Sequence, residues 1–301
     1  MKKFILLTGL FLSFQWLPVN AQKLISNNPY LNQRPPGLQA QIFAPEIVSL
    51  KDRYEYGSVF SSDGKDFYYA AIVNKKPQIH LIQLLKDGWT KPTAVIASDK
   101  YEYNDPFLSP DQSKLFFISD QAADGQGPVK DFDIWYLQRE KGGWSKPINA
   151  GTSINTSKNE YYMSFTSNGT MYFSSNGLTN QANDKNFDIF SSKFSNGKFQ
   201  PSEKLTRAVN SEFYEADVFI SPNDQYIIFC GERPDGFGKG DLFISFKDEQ
   251  GKWQKAKNMG NLVNTDGYEF CPFVSSDGKY LFFSRDGDIF WISADVIKTL
   301  K

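Results

Sequence analysis

The chain has 301 residues, in which 33 Lys and Arg nearly balance 34 Asp and Glu to give a formal net charge of −1 at pH 7. This balance excludes the basic surface of a nucleic-acid-binding protein, so we expect no nucleic-acid partner. Aromatic residues make up 16% of the chain, with 27 Phe and 15 Tyr, which is enough for a core between packed sheets.

The first 21 residues have the composition of a secretory signal peptide. Lys2 and Lys3 precede an apolar stretch from Phe4 to Trp16, and small residues stand before Gln22. The apolar stretch is too short to span a membrane comfortably, so we expect no integral membrane segment after the signal is removed. The sequence therefore predicts a bacterial protein that is periplasmic or secreted.

A four-residue turn that opens with Ser or Thr and has Asp or Asn at its third position recurs five times. The spacing between turns is 48 to 57 residues, and an aromatic strand follows each one. Repeats of about this length with four strands each are typical of propeller blades. The sequence therefore predicts an all-β fold, a single five-bladed β-propeller. The turns open at Ser61, Ser109, Thr166, Ser221 and Ser275.

The two ends of this repeat array are incomplete in complementary ways. Residues 22–40 are polar and contain three Pro, so we predict an extended lead-in before a propeller domain at 41–301. The fifth repeat lacks an outer strand after Ile292, whereas residues 42–49 have the pattern of one. We therefore predict that this N-terminal strand completes the last blade and closes the ring, which removes an exposed sheet edge.

Several of these motifs resemble a known family. They are the Ser-Pro-Asp turn at 109–111, the strand Asp133-Ile134-Trp135, the Gly-Trp-Ser-Lys-Pro run from Gly143 and the loop Arg233–Gly238. Over residues 41–293 the chain resembles the WD40-like β-propeller repeat of the TolB type. The resemblance implies the fold and an envelope setting, but no particular activity, because propellers host many unrelated functions.

The few His and Cys residues restrict the chemistry. A single His, at His80, argues against a Ser-His-Asp site, and we interpret it as a strand residue. One His and two Cys also argue against a structural zinc site, so we expect no metal, no cofactor and no catalytic residue of these kinds. Cys230 and Cys271 either form a disulfide, which an oxidising compartment permits, or remain buried free thiols.

The candidate binding residues begin the predicted innermost strands. A Glu or Tyr lies six residues before each turn, where it would ring the mouth of the central channel, and long loops at 120–130, 176–186 and 231–240 open on the same face. This acidic ring is a candidate binding face. Alternatively, each Glu hydrogen-bonds the backbone of the neighbouring blade. With two Asp on the same strands, the candidates are Glu55, Tyr103, Asp105, Glu160, Glu215, Asp217 and Glu269.

Two functional hypotheses follow. We expect a non-catalytic, extracytoplasmic module that binds an envelope protein or a cell-envelope polymer such as a polysaccharide or peptidoglycan. The alternative is a five-bladed glycoside hydrolase, in which inner-strand carboxylates supply an acid and a base or nucleophile roughly 5 to 10 Å apart. The repetition of Glu from blade to blade favours the first hypothesis, because a catalytic pair would be unique to its blades.

Overall fold

The recurring turn works in the same way in each blade of the computed structural model, which describes residues 29–178 and 186–301. The Ser275 hydroxyl donates to Asp277 Oδ1 (2.7 Å) and accepts the N–H of Tyr280 (3.1 Å). Ser61 makes the equivalent bonds to Asp63 and Asp66. The turn side chains thus fix each hairpin, and the five hairpins nucleate five antiparallel sheets.

The structure is a single five-bladed all-β propeller, as predicted. The first strand in the described residues, β1 (Gln41–Ile42), belongs to the last blade. Blade 1 contains β2 (Glu55–Phe60), β3 (Asp66–Val73), β4 (Lys76–Leu85), β5 (Gly88–Trp89) and β6 (Thr93–Ile96). Blade 2 contains β7 (Asn104–Leu108), β8 (Lys114–Ser119), β9 (Asp133–Glu140), β10 (Gly143–Trp144) and β11 (Ile148–Asn149). Blade 3 contains β12 (Glu160–Phe165), β13 (Met171–Ser175), β14 (Asp188–Ser192) and β17 (Glu203–Lys204), with the hairpin β15 (Phe194–Ser195) and β16 (Lys198–Phe199). Blade 4 contains β18 (Tyr214–Ile220), β19 (Tyr226–Glu232), β20 (Asp241–Phe246) and β21 (Lys257–Asn258). Blade 5 contains β22 (Phe270–Val274), β23 (Tyr280–Arg285) and β24 (Asp288–Ser293).

Helical structure is limited to two short pieces in the described residues. They are a 3-10 turn at Tyr30–Asn32 and the helix α1 (Asp295–Lys298). No helix in residues 29–178 and 186–301 is long and apolar enough to cross a membrane. The predicted signal peptide at residues 1–21 lies outside the described residues.

The N-terminal segment contacts blade 5 over fewer strand residues than predicted. Strand β1 pairs antiparallel with β24, with Gln41 opposite Trp291 and Ile42 opposite Phe290. Residues 43–49, predicted as part of the same strand, form bends and turns instead. The N–H of Phe43 donates to the carbonyl of Ile289 in β24 (2.7 Å), and its phenyl ring is fully buried against the rings of Phe282 and Phe60, so one backbone hydrogen bond and side-chain packing hold the start of this stretch.

The described part of the predicted lead-in also packs on the propeller. The ring of Tyr30 makes edge contacts with those of Phe60 and Tyr280, at centroid distances of 5.2 and 4.9 Å. The neighbouring Leu31 is buried, and the N–H of Ser293 donates to the carbonyl of Gly37 (2.9 Å). Residues 29–40 therefore pack on the propeller as a strap. Tyr30 and Leu31 are apolar side chains in an otherwise polar stretch, and the ring of Tyr30 contacts both blade 1 and blade 5.

Aromatic rings from four innermost strands meet at the centre of the propeller. The ring of Phe107 lies 6.1 Å from that of Phe165 and 5.9 Å from that of Phe273, which in turn lies 6.1 Å from Phe219. These side chains are buried and come from blades 2, 3, 4 and 5. They fill the axis, so the mouth leads into a blind pocket rather than an open pore.

Candidate functional site

Each innermost strand carries a β-bulge two residues after the predicted ring position. The register shifts at this point in all five blades. The bulged residues have left-handed backbone conformations, with φ between 34° and 52°. A bulge re-aims the side chain it carries, and here the four that are not glycine point towards the axis. The five bulged residues are Gly57, Asp105, Tyr162, Asp217 and Cys271.

The bulged residues contact one another across the axis and form a floor. The Cys271 thiol donates to Asp105 Oδ1, with Sγ and Oδ1 3.3 Å apart. The Tyr162 hydroxyl donates to the carbonyl of Pro272 on the far side (2.9 Å). A Cβ on Gly57 would lie 2.6 Å from Asp105 Oδ1, so blade 1 must have glycine here to leave space for that carboxylate.

A pocket of about 440 Å³ opens above this floor at the channel mouth. Its walls are mainly aromatic, and none of the described residues that line it is Lys, Arg or His. The wall rings are connected, since Tyr56 lies 6.2 Å from Phe270 and Phe270 lies 5.7 Å from Tyr268. The carboxyl groups of Asp105 and Asp217 lie on the floor, and aromatic rings line the wall around them. The principal wall residues are Tyr54, Tyr56, Tyr161, Tyr214, Tyr268 and Phe270.

The two floor carboxylates are costly to ionise in this setting. Asp105 and Asp217 are each only 7% exposed. Burial raises the pKa of both carboxyls, and the negative charge of Asp105 raises the pKa of Asp217 further. The Cys271 thiol and backbone N–H partly offset the shifts, since each stabilises one carboxylate. No described Lys, Arg or His side chain forms an ion pair with either Asp.

The four Glu of the predicted ring lie elsewhere, fully buried beside the segments that connect the blades. Glu160 accepts the N–H of Thr156 at Oε2 (2.9 Å) and the hydroxyls of Thr156 and Ser175 at Oε1 (2.8 and 2.7 Å). Glu269 holds Thr265 in the same way. The backbone partner of Glu160, Glu215 and Glu269 is thus the residue four positions earlier in the connecting segment, and that of Glu55 is five positions earlier, rather than the neighbouring blade itself.

Three of these Glu are already paired with arginine. The Glu215 carboxylate lies 2.9 Å from the Arg233 guanidinium, and Glu269 lies 3.6 Å from that of Arg285. Glu55 binds Arg53 and the N–H of Leu50. Glu160 has no Arg partner among the described residues, and burial raises its pKa to about 7. Burial also raises the pKa of the three Glu that pair with Arg, because its effect outweighs that of their hydrogen bonds and of the arginine charges.

An asparagine before each connecting Thr or Ser ties the segment to the preceding blade. Asn155 accepts the N–H of Ile134 (2.8 Å) and donates to its carbonyl (2.9 Å). Asn210 and Asn264 repeat these bonds one and two blades later. The connecting segments before blades 3, 4 and 5 are therefore clamped to one blade by Asn and to the next by Glu.

The remaining candidates have the following environments. Tyr103 is buried, and its hydroxyl donates to Gln121 Oε1 (2.9 Å). His80 lies in β4 with both ring nitrogens unpartnered, and burial lowers its pKa to about 4. Cys230 and Cys271 are buried free thiols. No group of three or more metal-ligating side chains occurs in residues 29–178 and 186–301.

The structure thus places two of the seven candidates, Asp105 and Asp217, on the pocket, while Tyr103 and the four Glu lie outside its lining. The aromatic wall and Cys271 were missed. The signal that would have found the wall is the run of Tyr and Phe on either side of the ring position, as in Tyr54 and Tyr56 around Glu55.

No family model and no curated protein matches the sequence. TolB from Acinetobacter baumannii matches with 16% identity and a TM-score of 0.50, over 79% of this chain and 53% of that one, so the chain spans about half the length of that protein. A protein of unknown function from Dyadobacter fermentans matches with 13% identity and a TM-score of 0.52, over 86% and 83% of the two chains. A puromycin-hydrolyzing peptidase from Mycobacterium tuberculosis matches with 11% identity and a TM-score of 0.47, over 81% and 38%. At these identities the likeness concerns the fold alone, and the chain is similar to TolB as a β-propeller.

Proposed function

We propose that the protein is a non-catalytic, extracytoplasmic module that binds an envelope protein or cell-envelope polymer through its channel mouth. The observation that carries the proposal is the blind aromatic pocket, about 440 Å³ in volume, with Asp105 and Asp217 on its floor. A concave, largely aromatic site with a few convergent polar groups is the usual form of a binding site. The Glu ring is a structural clamp in this proposal, because its members are buried and hydrogen-bonded.

Site-specific photo-crosslinking in the cells that make the protein tests which face binds. A photoreactive phenylalanine analogue replaces Tyr214 at the mouth, and in a matched control it replaces Phe194. Phe194 is 42% exposed and lies with Ser109 and Asp111, at the opposite ends of the strands from the mouth. We expect covalent adducts of defined mass from position 214 and none from position 194.

Adducts that form only at position 194, or equally at both positions, would contradict the proposal. The nature of the adduct separates the two partner classes. A protein adduct is digested by trypsin to a peptide, whereas a polymer adduct is released by muramidase or another glycosidase.

A glycoside hydrolase is a second candidate, because Asp105 and Asp217 are non-repeated carboxylates on one pocket floor. Their raised pKa values would suit a pair in which one carboxyl keeps a proton as general acid. The binding role is favoured because both carboxylates are over nine-tenths buried and the Cys271 thiol hydrogen-bonds one of them. A scissile bond would have to displace these contacts.

Turnover measurements decide between the two candidates. We expect no release of reducing sugar from a panel of plant, algal and bacterial polysaccharides at pH 5 to 8. Release by the wild type that is abolished by D105N or by D217N would establish the hydrolase instead.

A further inference from the structure

We propose that the mouth pocket recognises a primary alkylammonium group, such as a lysine side chain, with Asp105 and Asp217 as its counter-charge and the wall rings around its carbon chain. This inference rests on the proposed function and names the chemistry of the ligand. It follows from the charge on the floor, the character of the wall and the kind of contact that the floor can make.

The floor has two carboxyl groups and no cation paired with either of them among the described residues. Asp217 is 7% exposed and lines the pocket. Within residues 29–178 and 186–301, the donor to its carboxylate is the backbone N–H of Cys271. Three of the four buried clamp Glu differ, since Arg53, Arg233 and Arg285 accompany them, and the fourth, Glu160, accepts three hydrogen bonds. A buried carboxylate without a cation is an expensive arrangement that a positive ligand would relieve.

The charged and titratable groups around Asp217 confirm that no neighbour fills this role. Its electrostatic neighbours are acids, thiols and phenols, and each belongs to an innermost strand, to its flank or to β19. Lys76, close to the pocket residue Pro77, pairs with Glu102 at 3.4 Å. The neighbours are Asp105, Tyr161, Tyr162, Tyr214, Cys230, Tyr268 and Cys271.

The wall supplies the second half of the site. Aromatic faces attract cations through the ring quadrupole, and they also cover an alkyl chain. Tyr161 is held in place by stacking on Phe187, with centroids 4.7 Å apart and planes 10° from parallel. Tyr214 contacts the other side of Phe187 at 5.6 Å. The wall is therefore already assembled, so little side-chain freedom is lost when a ligand binds.

The floor favours a primary ammonium over a quaternary one. A carboxylate at the bottom of a pocket gains most from a group that donates hydrogen bonds as well as charge. An –NH₃⁺ group has three N–H donors to offer to these carboxylates, whereas a trimethylammonium group has no N–H and is wider.

The test uses three probes that differ only at the end of the side chain. They are the acetyl-capped methylamides of lysine, trimethyl-lysine and norleucine, titrated into the full protein and followed by ligand NMR and calorimetry at pH 8. We expect the lysine probe to bind at least tenfold more tightly than either of the others. D217N should weaken lysine binding at least tenfold and leave the norleucine probe unchanged.

Three further variants provide a second test and two controls. Y161L should weaken the lysine probe severalfold, whereas F194L on the opposite face should not change it. E249Q, at an exposed carboxylate in the turn after β20, should bind like the wild type. Far-UV circular dichroism and thermal melts check that each variant is folded, and Asp→Asn preserves side-chain volume at the floor.

Equal affinity for the lysine and norleucine probes would overturn the inference, as would tighter binding of the trimethyl probe or unchanged lysine binding by D217N. These failures are distinct from failure of the proposed function. If position 214 still crosslinks a partner while no ammonium probe binds, the mouth is a binding face for different chemistry. If neither occurs, both proposals fall.

Discussion

Cys271 Sγ lies 3.3 Å from Asp105 Oδ1, so a thiol from blade 5 donates to a carboxylate from blade 2 across the centre of the propeller. Burial raises the thiol pKa well above its ordinary value, and the nearby carboxylates raise it further. The thiol therefore keeps its proton at neutral pH. Cys271 is thus a hydrogen-bond donor in the pocket floor rather than a nucleophile.

Replacing Cys271 tests this donor role. C271A removes the donor and leaves a buried carboxylate with one fewer partner, so it should lower the free energy of unfolding at pH 7 by about 1 to 3 kcal/mol. C271S keeps a donor of similar size and should recover most of the loss. Urea unfolding measures both. A C271S variant less stable than C271A would contradict the assigned hydrogen bond.

Asp217→Asn should make the protein more stable at high pH. Burial and the charge of Asp105 raise the folded pKa of Asp217 above its unfolded value. The stability that this group contributes is therefore present below the unfolded pKa and lost as pH rises through the folded pKa. D217N does not lose this stability. At high pH its free energy of unfolding should exceed that of the wild type by about 1.4 kcal/mol for each unit by which the folded pKa of Asp217 exceeds the unfolded pKa.

Thermal melts at pH 4, 6 and 8 follow this effect. The melting temperature of D217N should exceed that of the wild type at pH 8, and the difference should shrink towards pH 4. D235N, at an exposed carboxylate, is the matched control and should follow the wild type. A D217N curve parallel to the wild type at all three pH values would show that the carboxyl is not buried as described.

Sequence pattern predicted the blades well and the site only partly, and the inner strands explain the difference. The turns at Ser61 and Ser275 repeat because each blade needs the same hairpin, so repetition revealed the fold. The same repetition drew attention to the Glu positions, which recur because each blade also needs the same clamp. The bulge at Asp105 and Asp217 breaks the alternation of the strand, and alternation alone cannot show which side chain such a bulge directs towards the axis.

Glu160→Gln should destabilise the protein because the amide cannot accept all three of the hydrogen bonds from Thr156 and Ser175. We expect a loss of about 1 to 3 kcal/mol. Hydrogen bonding alone would lower the pKa of this carboxyl, but burial raises it to about 7. Wild-type stability from this group therefore falls as pH rises from the unfolded value through about 7.

The difference between E160Q and the wild type should consequently be larger at pH 5 than at pH 8. Denaturant unfolding at these two pH values measures it. A variant as stable as the wild type at both would reject the clamp, and a difference that grows with pH would show that the folded pKa is lowered instead.

Stepwise N-terminal truncation tests whether β1 and the strap close the last blade. Starting the chain at residue 29 removes none of the described contacts and should leave the melting temperature unchanged. Starting it at residue 40 removes Tyr30 and its ring contacts and should lower the melting temperature by a few degrees. Starting it at residue 49 also removes β1 and the buried Phe43, a loss of roughly 3 kcal/mol or more and about 10 °C.

Differential scanning calorimetry measures the melting temperatures of the three chains and so their order of stability. The F43A variant in the full-length chain separates the contribution of this one side chain from that of strand pairing. Equal melting temperatures for the chains that begin at residues 40 and 49 would reject closure by the N-terminal strand.

Binding of an ammonium ligand should release protons from the pocket floor. In the free protein the pKa of Asp217 is raised by burial and by Asp105, so part of the population keeps a proton at this carboxyl. A cation placed against it favours the ionised form and lowers its pKa. The lysine probe should therefore bind more tightly as pH rises from 5 to 8.5, while its own ammonium stays charged because an unperturbed Lys has a pKa of about 10.4.

Calorimetry in phosphate and in Tris at the same pH should give different observed enthalpies for the wild type, because the buffer takes up the released protons. For D217N the two enthalpies should be closer. The same affinity at pH 5 and pH 8.5, with no dependence on the buffer, would mean that the carboxyl does not exchange a proton when the ligand binds.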